Sequence, residues 1–171
     1  MEPLLTERLL IRPFTLGDAP FILRLLNEPS FIENITDKGV RTLEQAADYL
    51  TGGPLASYQA HGHGLWMVQH RVTGNPLGMC GLINRDTLPE LDLGYAFVPE
   101  FWGLGYAREA AEACILWGHD TLSLQGLLAI VSAGNEASIR LLEKLRFRRT
   151  GAMEVAPGDE VEVYRLDLTA S

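Results

Sequence analysis

The residues best placed to do chemistry lie in the run Trp102-Gly-Leu-Gly-Tyr-Ala107, which joins a strand-like segment ending near Val98 to a helix-like segment. Gly103 and Gly105 put two flexible residues in the turn, so the amides of Leu104, Tyr106, Ala107 and Arg108 can face outward at a helix start. Such amides, backed by the positive end of the helix dipole, bind phosphate oxygens, and glycine lets a ligand approach the backbone closely. The same glycines would also serve a plain loop. The spacing is not GxGxxG, because Arg108 occupies the third position, and no Lys-Ser/Thr pair follows, so dinucleotide and ATP sites both fit badly.

Carboxylates come next. Glu90 and Asp92 alternate with Leu91 and Leu93 in a strand predicted over residues 90–98, and the two-residue period puts both acids on one face. A carboxylate there can take a proton from an amine; equally, the pair can be the polar face of a half-buried strand. Further along, Asn135 stands at a helix start with Ser138 one turn inside. Of the cations, Arg108 is nearest the glycines, while Arg140, Lys144 and Arg148 read as solvated helix charges. His61 and His63 read as a solvent loop without a third metal ligand at usable spacing, so no metal site is expected. Cys80 and Cys114 lie in apolar runs without CxxC spacing and read as buried free thiols, the pattern of a reducing compartment.

These residues have to be positioned by 171 residues that are 47% hydrophobic and 21% charged, enough for one domain with a real core over residues 1–171. Fourteen Lys and Arg against 22 Asp and Glu give a formal charge of −8, the wrong sign for nucleic acid or an anionic membrane. The first residues lack a basic stretch followed by an apolar one, and no apolar run reaches the roughly 18 residues of a membrane span. A cytoplasmic location is expected.

The positional patterns predict a strand over 8–14 and a helix after Asp18 that stops before Pro29. A second helix is capped by Thr42, with the Thr42-to-Gln45 capping box, and ends near Gly52-Gly53-Pro54; a short helix follows over 55–60. Residues 65–70 and 77–83 form a hairpin, and 90–98 completes an antiparallel meander. A helix rich in small residues over 105–118, a buried strand over 127–131, a helix over 135–145 and two strands, 148–155 and 161–168, close the chain. The fold class is α/β (α+β): a mixed, mostly antiparallel twisted sheet of about seven strands flanked by about four helices.

Taken together these features resemble the GNAT superfamily of acetyl-CoA-dependent N-acetyltransferases. The 102–107 turn matches the Q/R-x-x-G-x-G/A signature and Asn135-x-x-Ser138 matches the second motif. Thr6-Glu-Arg-Leu-Leu-Ile-Arg-Pro13, Gly94-Tyr95, Pro99-Glu100, Trp102-Gly103 and Glu109 are similar to the RimJ/RimL-like branch, which modifies ribosomal-protein N-termini. The resemblance covers almost the whole chain. It implies that CoA is held by Trp102, Gly103, Leu104, Gly105, Tyr106, Ala107 and Arg108, with Asn135 and Ser138, and that the backbone at Phe97 or Val98 pairs with the pantetheine arm. Three positions depart from the pattern. Trp102 replaces Gln or Arg, Arg146 replaces a Gly before Phe147, and Leu142 stands where many relatives carry a Tyr that protonates the CoA thiolate. Ser138 is the substitute acid.

The implied reaction is direct attack of an amine on the acetyl thioester, with no metal. Asp92 matches the position of an acidic residue that deprotonates the amine in several such enzymes; Glu90, or desolvation with no essential side chain, are the alternatives. The resemblance implies an amine acceptor, either a protein N-terminus or a small amine, and the acidic charge favours a cationic one. The helices between Asp18 and Gly62 would build its pocket. A homodimer is common among similar proteins. A non-catalytic module that binds CoA or another acyl-CoA is the alternative function.

Overall fold

The computed structural model describes residues 1–169. Eight strands form one sheet in the order β1-β2-β3-β4-β5-β6-β8-β7, with β1 Leu4–Leu5, β2 Leu9–Arg12, β3 Leu65–His70, β4 Pro76–Ile83, β5 Asp92–Phe97, β6 Gly126–Val131, β7 Arg148–Ala156 and β8 Asp159–Asp167. All neighbours are antiparallel except β5 and β6. Six helices flank it: α1 Ala19–Leu26, α2 Pro29–Asn34, α3 Leu43–Leu50, α4 Ala56–His61, α5 Tyr106–Leu122 and α6 Glu136–Lys144. The fold class is the expected one, and strand β1 and helix α2 are the elements beyond those predicted.

The extra helix α2 follows from proline's asymmetry. Pro29 ends α1, and it also fits the first turn of a new helix, where its missing N–H costs nothing. Thr42 caps α3 as predicted, its side chain accepting from the Gln45 amide at 3.1 Å. The end predicted at Gly52-Gly53-Pro54 is not there. The chain stays helical through a wider π-type turn, Thr51–Leu55, which accommodates buried Pro54 and leads directly into α4.

The helices form two layers. Phe14, Phe21, Ile22, Leu25, Leu26, Phe31, Ala46 and Leu50 pack α1 to α3 on one sheet face, against Met67, Met79 and Val98. On the other face α5 and α6 bury Ala110, Ala111, Cys114, Leu142 and Leu145 against Cys80, Leu82, Leu93, Leu127 and Ala129. The small residues of α5 let it approach closely: a Cβ at Gly118 would lie 2.8 Å from the Leu82 side chain. Trp117 meets Trp66 edge-on with ring centroids 4.9 Å apart. Both cysteines are buried and free, as read from the sequence. His63 is not in a solvent loop. It is buried, with Nδ1 2.8 Å from the Leu82 carbonyl, because Gly64 leads straight into β3 and draws the preceding ring under the sheet.

Candidate active site

The site forms where the sheet splits. Strands β5 and β6 are bridged at Asp92 and Leu128, the Leu128 amide donating to the Leu91 carbonyl at 2.9 Å, and beyond that bridge they diverge. The register of β4 against β5 shows which backbone groups face the gap. The Val98 amide donates to the Leu77 carbonyl at 3.0 Å, so Leu77 and Val98 are a hydrogen-bonded pair. By the alternation of an antiparallel ladder, the pairs Gly78–Phe97 and Cys80–Tyr95 turn their polar groups away from each other. The amides of Tyr95 and Phe97 therefore point into the gap, available to an extended ligand. Of the two residues expected to pair with such a ligand, Phe97 qualifies; the Val98 amide is engaged by Leu77. The Phe97 carbonyl is also taken, by the Trp102 indole N–H at 2.8 Å, which gives the unusual Trp102 a structural task at the mouth of the gap.

After β5 a short 3-10 turn, Pro99–Phe101, leads into the glycine turn. Gly103 and Gly105 have φ of +76° and +84°, the left-handed region that glycine alone enters without cost, so both glycines are required by the backbone itself. A Cβ on Gly103 would meet nothing within 4 Å: the space beside the turn is open to a ligand. Helix α5 starts at Tyr106, and the Glu109 amide closes on the Gly105 carbonyl at 3.1 Å, which leaves the amides of Tyr106, Ala107 and Arg108 as the outward-facing ones. These groups fit the phosphates of a CoA-type molecule.

The arginine that supports this turn is Arg8, which sequence reasoning passed over. Its guanidinium donates to the Leu104 carbonyl at 2.8 Å and lies 4.5 Å over the Tyr106 ring. Glu109 holds it there, accepting from Arg8 Nε and from the Arg8 amide, both at 2.8 Å, and from Thr6 Oγ1 at 2.5 Å. Burial alone would raise the Glu109 carboxyl; the Thr6 and Arg8 hydrogen bonds outweigh it and hold it below the usual carboxylate range. The signal was present in the Thr6-Glu-Arg8 run, whose partner in α5 is about a hundred residues away in sequence. Arg108, the cation favoured from the sequence, instead pairs with Glu112 at 2.9 Å. Outside the turn, Glu7, Glu109 and Glu112 line a depression of about 350 Å³ with Arg108, so what positive potential the turn offers an anion comes from its amides more than from side-chain charge.

Across the gap, Asn135 caps α6 by accepting from the Ser138 amide at 3.3 Å. The Ser138 hydroxyl is hydrogen-bonded to the Tyr95 hydroxyl, tying the first turn of α6 to the middle of β5. Burial pushes the Tyr95 phenol up to about 12. Leu142, on the same helical face one turn later, is fully buried in the core and offers no proton.

Asp92 stands at the apex of the split with its side chain 1% exposed, and Arg85 Nε lies 3.0 and 3.2 Å from its two oxygens. Burial raises its carboxyl to about 6, against the lowering effect of Arg85. Leu93, Tyr95 and Phe97 pack with α5 and α6, and Ala96 with α1 to α3, so strand alternation turns Asp92 toward the α1–α3 layer. A carboxylate on one face and a hydroxyl pair on the other thus bracket the gap. The Asn34 carbonyl of α2 accepts from Ser132 at 3.0 Å, joining that layer to the end of β6. Glu90 does not share this position. It precedes β5, is held by Arg165 at 2.8 and 3.0 Å, and lines a depression with Leu124, Gln125 and Gly126 at the far end of α5.

The family model described as "Acetyltransferase (GNAT) domain" matches residues 8–148. The chain belongs to the GNAT acetyltransferase family. It is an acyltransferase, and the GNAT fold uses acetyl-CoA as its acyl source. A protein of Bacillus licheniformis named N-acetyltransferase p20 is 28% identical over 173 residues, covering 98% of this chain and 96% of its own. An acetyltransferase structure from Agrobacterium tumefaciens str. C58 superposes with a TM-score of 0.82 at 28% identity, over 97% of this chain and 94% of that one. The same fold is seen in RimL, a ribosomal L7/L12 alpha-N-protein acetyltransferase in complex with coenzyme A, with a TM-score of 0.83 at 17% identity over 99% of this chain and all of that one. Among the described residues no helix is long and apolar enough to cross a membrane.

Proposed function

We propose that this GNAT chain transfers an acetyl group from acetyl-CoA directly to a primary amine, with a protein N-terminus as the acceptor and small amines as the next class. The observation that carries this reading is the split between β5 and β6, with outward amides at the glycine turn, Asp92 on one face and Ser138 on the other. In this reading the amides of Tyr106 to Arg108 hold the CoA phosphates, and the backbone of Tyr95 and Phe97 pairs with the pantetheine arm as an added strand.

The amine enters from the α1–α3 layer and Asp92 accepts its proton. A carboxyl near 6 is ionised at neutral pH yet basic enough to take part in the transfer. The similarity in fold to RimL supports a protein N-terminus, and the formal charge of −8 supports a basic acceptor. A single GNAT domain over residues 1–171, acting in the cytoplasm, completes the reading.

The buried Leu142 favours one rival, a module that binds CoA without turnover, because no phenol stands at that position of α6. Thiol release from acetyl-CoA, measured with N-terminal peptides and small amines, separates the two. Release with at least one acceptor, with the acetylated product seen by mass spectrometry, establishes the transferase; tight CoA binding without release across the panel establishes the module.

A further inference from the structure

Arg85 lies in the β4–β5 loop, two residues past Ile83, and that loop folds back so that its guanidinium meets Asp92, the ladder partner of Ile83. Only Nε is used there, at 3.0 and 3.2 Å from the two carboxylate oxygens. A guanidinium carries five N–H donors in a planar fork, so those on its two terminal nitrogens are left without a partner among the described residues. Exposure divides the pair in the same sense: the Asp92 side chain is 1% exposed and that of Arg85 40%. A buried carboxylate therefore holds the arginine by its inner edge and leaves the outer fork open. A second unpaired donor stands within reach of that charge. Tyr49 of α3 packs on the core of the α1–α3 layer, and its hydroxyl makes no hydrogen bond to the described residues. Burial raises the phenol and the charge of Arg85 opposes the rise, so the hydroxyl stays protonated and can donate.

We propose that Arg85 is a specificity-determining residue that binds a carboxylate carried by the acceptor, a few bonds from the amine that is acetylated. This rests on the proposed acetyl transfer and names the chemical class of its acceptor. That class is a zwitterion, supplied either by a protein N-terminus whose first residue is Asp or Glu or by a free amino acid. The protein's ion pair is answered by one of opposite order in the ligand, with the ammonium toward Asp92 and the carboxylate on the Arg85 fork. The fork matches a carboxylate with two parallel N–H bonds, a geometry that lysine does not offer. The Tyr49 hydroxyl supplies a third donor. An acceptor with a neutral amide in place of the carboxylate keeps the shape and loses the charge-assisted bonds, and the site discriminates by that difference. The formal charge of −8 acts at longer range and draws in the ammonium, whereas the choice of a carboxylate is a contact effect confined to Arg85 and Tyr49. A zwitterion satisfies both.

The test compares acceptors of equal shape on the full chain with acetyl-CoA. Peptides beginning with Glu are set against Gln, peptides beginning with Asp against Asn, and free amino acids against their amides. The wild type should favour the carboxylate member by about tenfold or more in kcat/KM, and the pair that shows it tells a protein N-terminus from a free amino acid. Arg85→Gln should abolish that preference, Arg85→Lys should keep only a small part of it, and Tyr49→Phe should reduce it severalfold. Both members of a pair use Asp92 alike, so any slowing caused by loss of the Arg85–Asp92 contact cancels from the ratio. The same ratio is read without turnover as the calorimetric affinity of the acetylated pairs for the CoA-loaded chain. Equal rates and equal affinities within every pair, or a preference that survives Arg85→Gln, overturn the proposal. No thiol release with any acceptor, alongside a carboxylate preference in binding, would instead overturn the acetyl-transfer reading and leave Arg85 as the carboxylate receptor.

Discussion

Arg8 and Glu109 are joined by two hydrogen bonds of 2.8 Å, one from the Arg8 amide and one from its guanidinium, and the same guanidinium reaches the Leu104 carbonyl inside the glycine turn. The first strands of the sheet thus brace the loop before α5. Removing the carboxylate with Glu109→Ala leaves the Arg8 amide and the Thr6 hydroxyl without their acceptor and frees the guanidinium to leave Leu104. The expected cost is about 2 to 3 kcal/mol of stability, together with weaker CoA binding. Denaturant unfolding and calorimetry with CoA check this. Unchanged CoA affinity in a destabilised variant would mean that the turn holds its shape without the brace.

The glycine turn itself is best probed at Gly103. At Gly105 a Cβ would come within 3.2 Å of the Arg8 guanidinium, so a side chain there disturbs the brace as well as the ligand. At Gly103 the space is open, and Asp tolerates the left-handed backbone better than most residues. Gly103→Asp is therefore expected to fold with a loss of about 1 kcal/mol while lowering CoA affinity at least tenfold through charge beside the phosphates. Wild-type affinity in this variant would move the phosphates away from the turn.

The parts of the fold set by local pattern were legible in the sequence, and the parts set by distant contacts were not. The strands, α5, α6 and the Thr42 cap follow from periodicity and capping chemistry over a few residues. Helix α2 was hidden because Pro29 ends one helix and begins another. The Gly52-Gly53-Pro54 run reads as a stop, yet a wide helical turn absorbs it once Pro54 is buried. At the site, the glycine turn was visible from residue type and spacing, and Glu90 and Asp92 as two acids on one strand face. The Arg8 brace and the Tyr95–Ser138 contact span 101 and 43 residues, and no local period can announce a partner so far away. Glu90 and Asp92 have the same residue class and strand parity; only the start of β5 at Asp92 and the presence of Arg165 tell them apart.

The hairpin that carries β5 tolerates no bulk at Gly81. A Cβ there would lie 2.0 Å from the Gly64 carbonyl oxygen and 2.9 Å from the Leu65 backbone, atoms fixed by the β3–β4 ladder. Gly81→Ala should destabilise by roughly 3 kcal/mol or more, through displaced backbone in the centre of the sheet. Gly151→Ala, with open space around it, serves as the matched control and should change little. Similar melting temperatures for the two variants would show that the strands separate locally at low cost.

Asp92 couples the proposed chemistry to stability. Its carboxyl is raised from 3.8 to about 6, so the folded state binds the proton more tightly than the unfolded chain does. Stability from this group is therefore full below about pH 4 and declines as pH rises through 6, an overall loss of about 3 kcal/mol at 1.36 kcal/mol per pH unit. Asp92→Asn does not titrate, so it should melt higher than the wild type at pH 7.5, and the gap should narrow toward pH 4. The same variant should lose about 10²- to 10⁴-fold in kcat, with CoA affinity unchanged. The wild-type rate should rise with pH through about 6 as the carboxyl ionises, an ascending limb that the variant lacks. Thermal melts across pH and a kcat profile measured on the same preparations test both halves. A variant that melts lower at neutral pH would show that the Arg85 ion pair outweighs burial, and a variant with wild-type turnover would transfer the proton-accepting role to solvent.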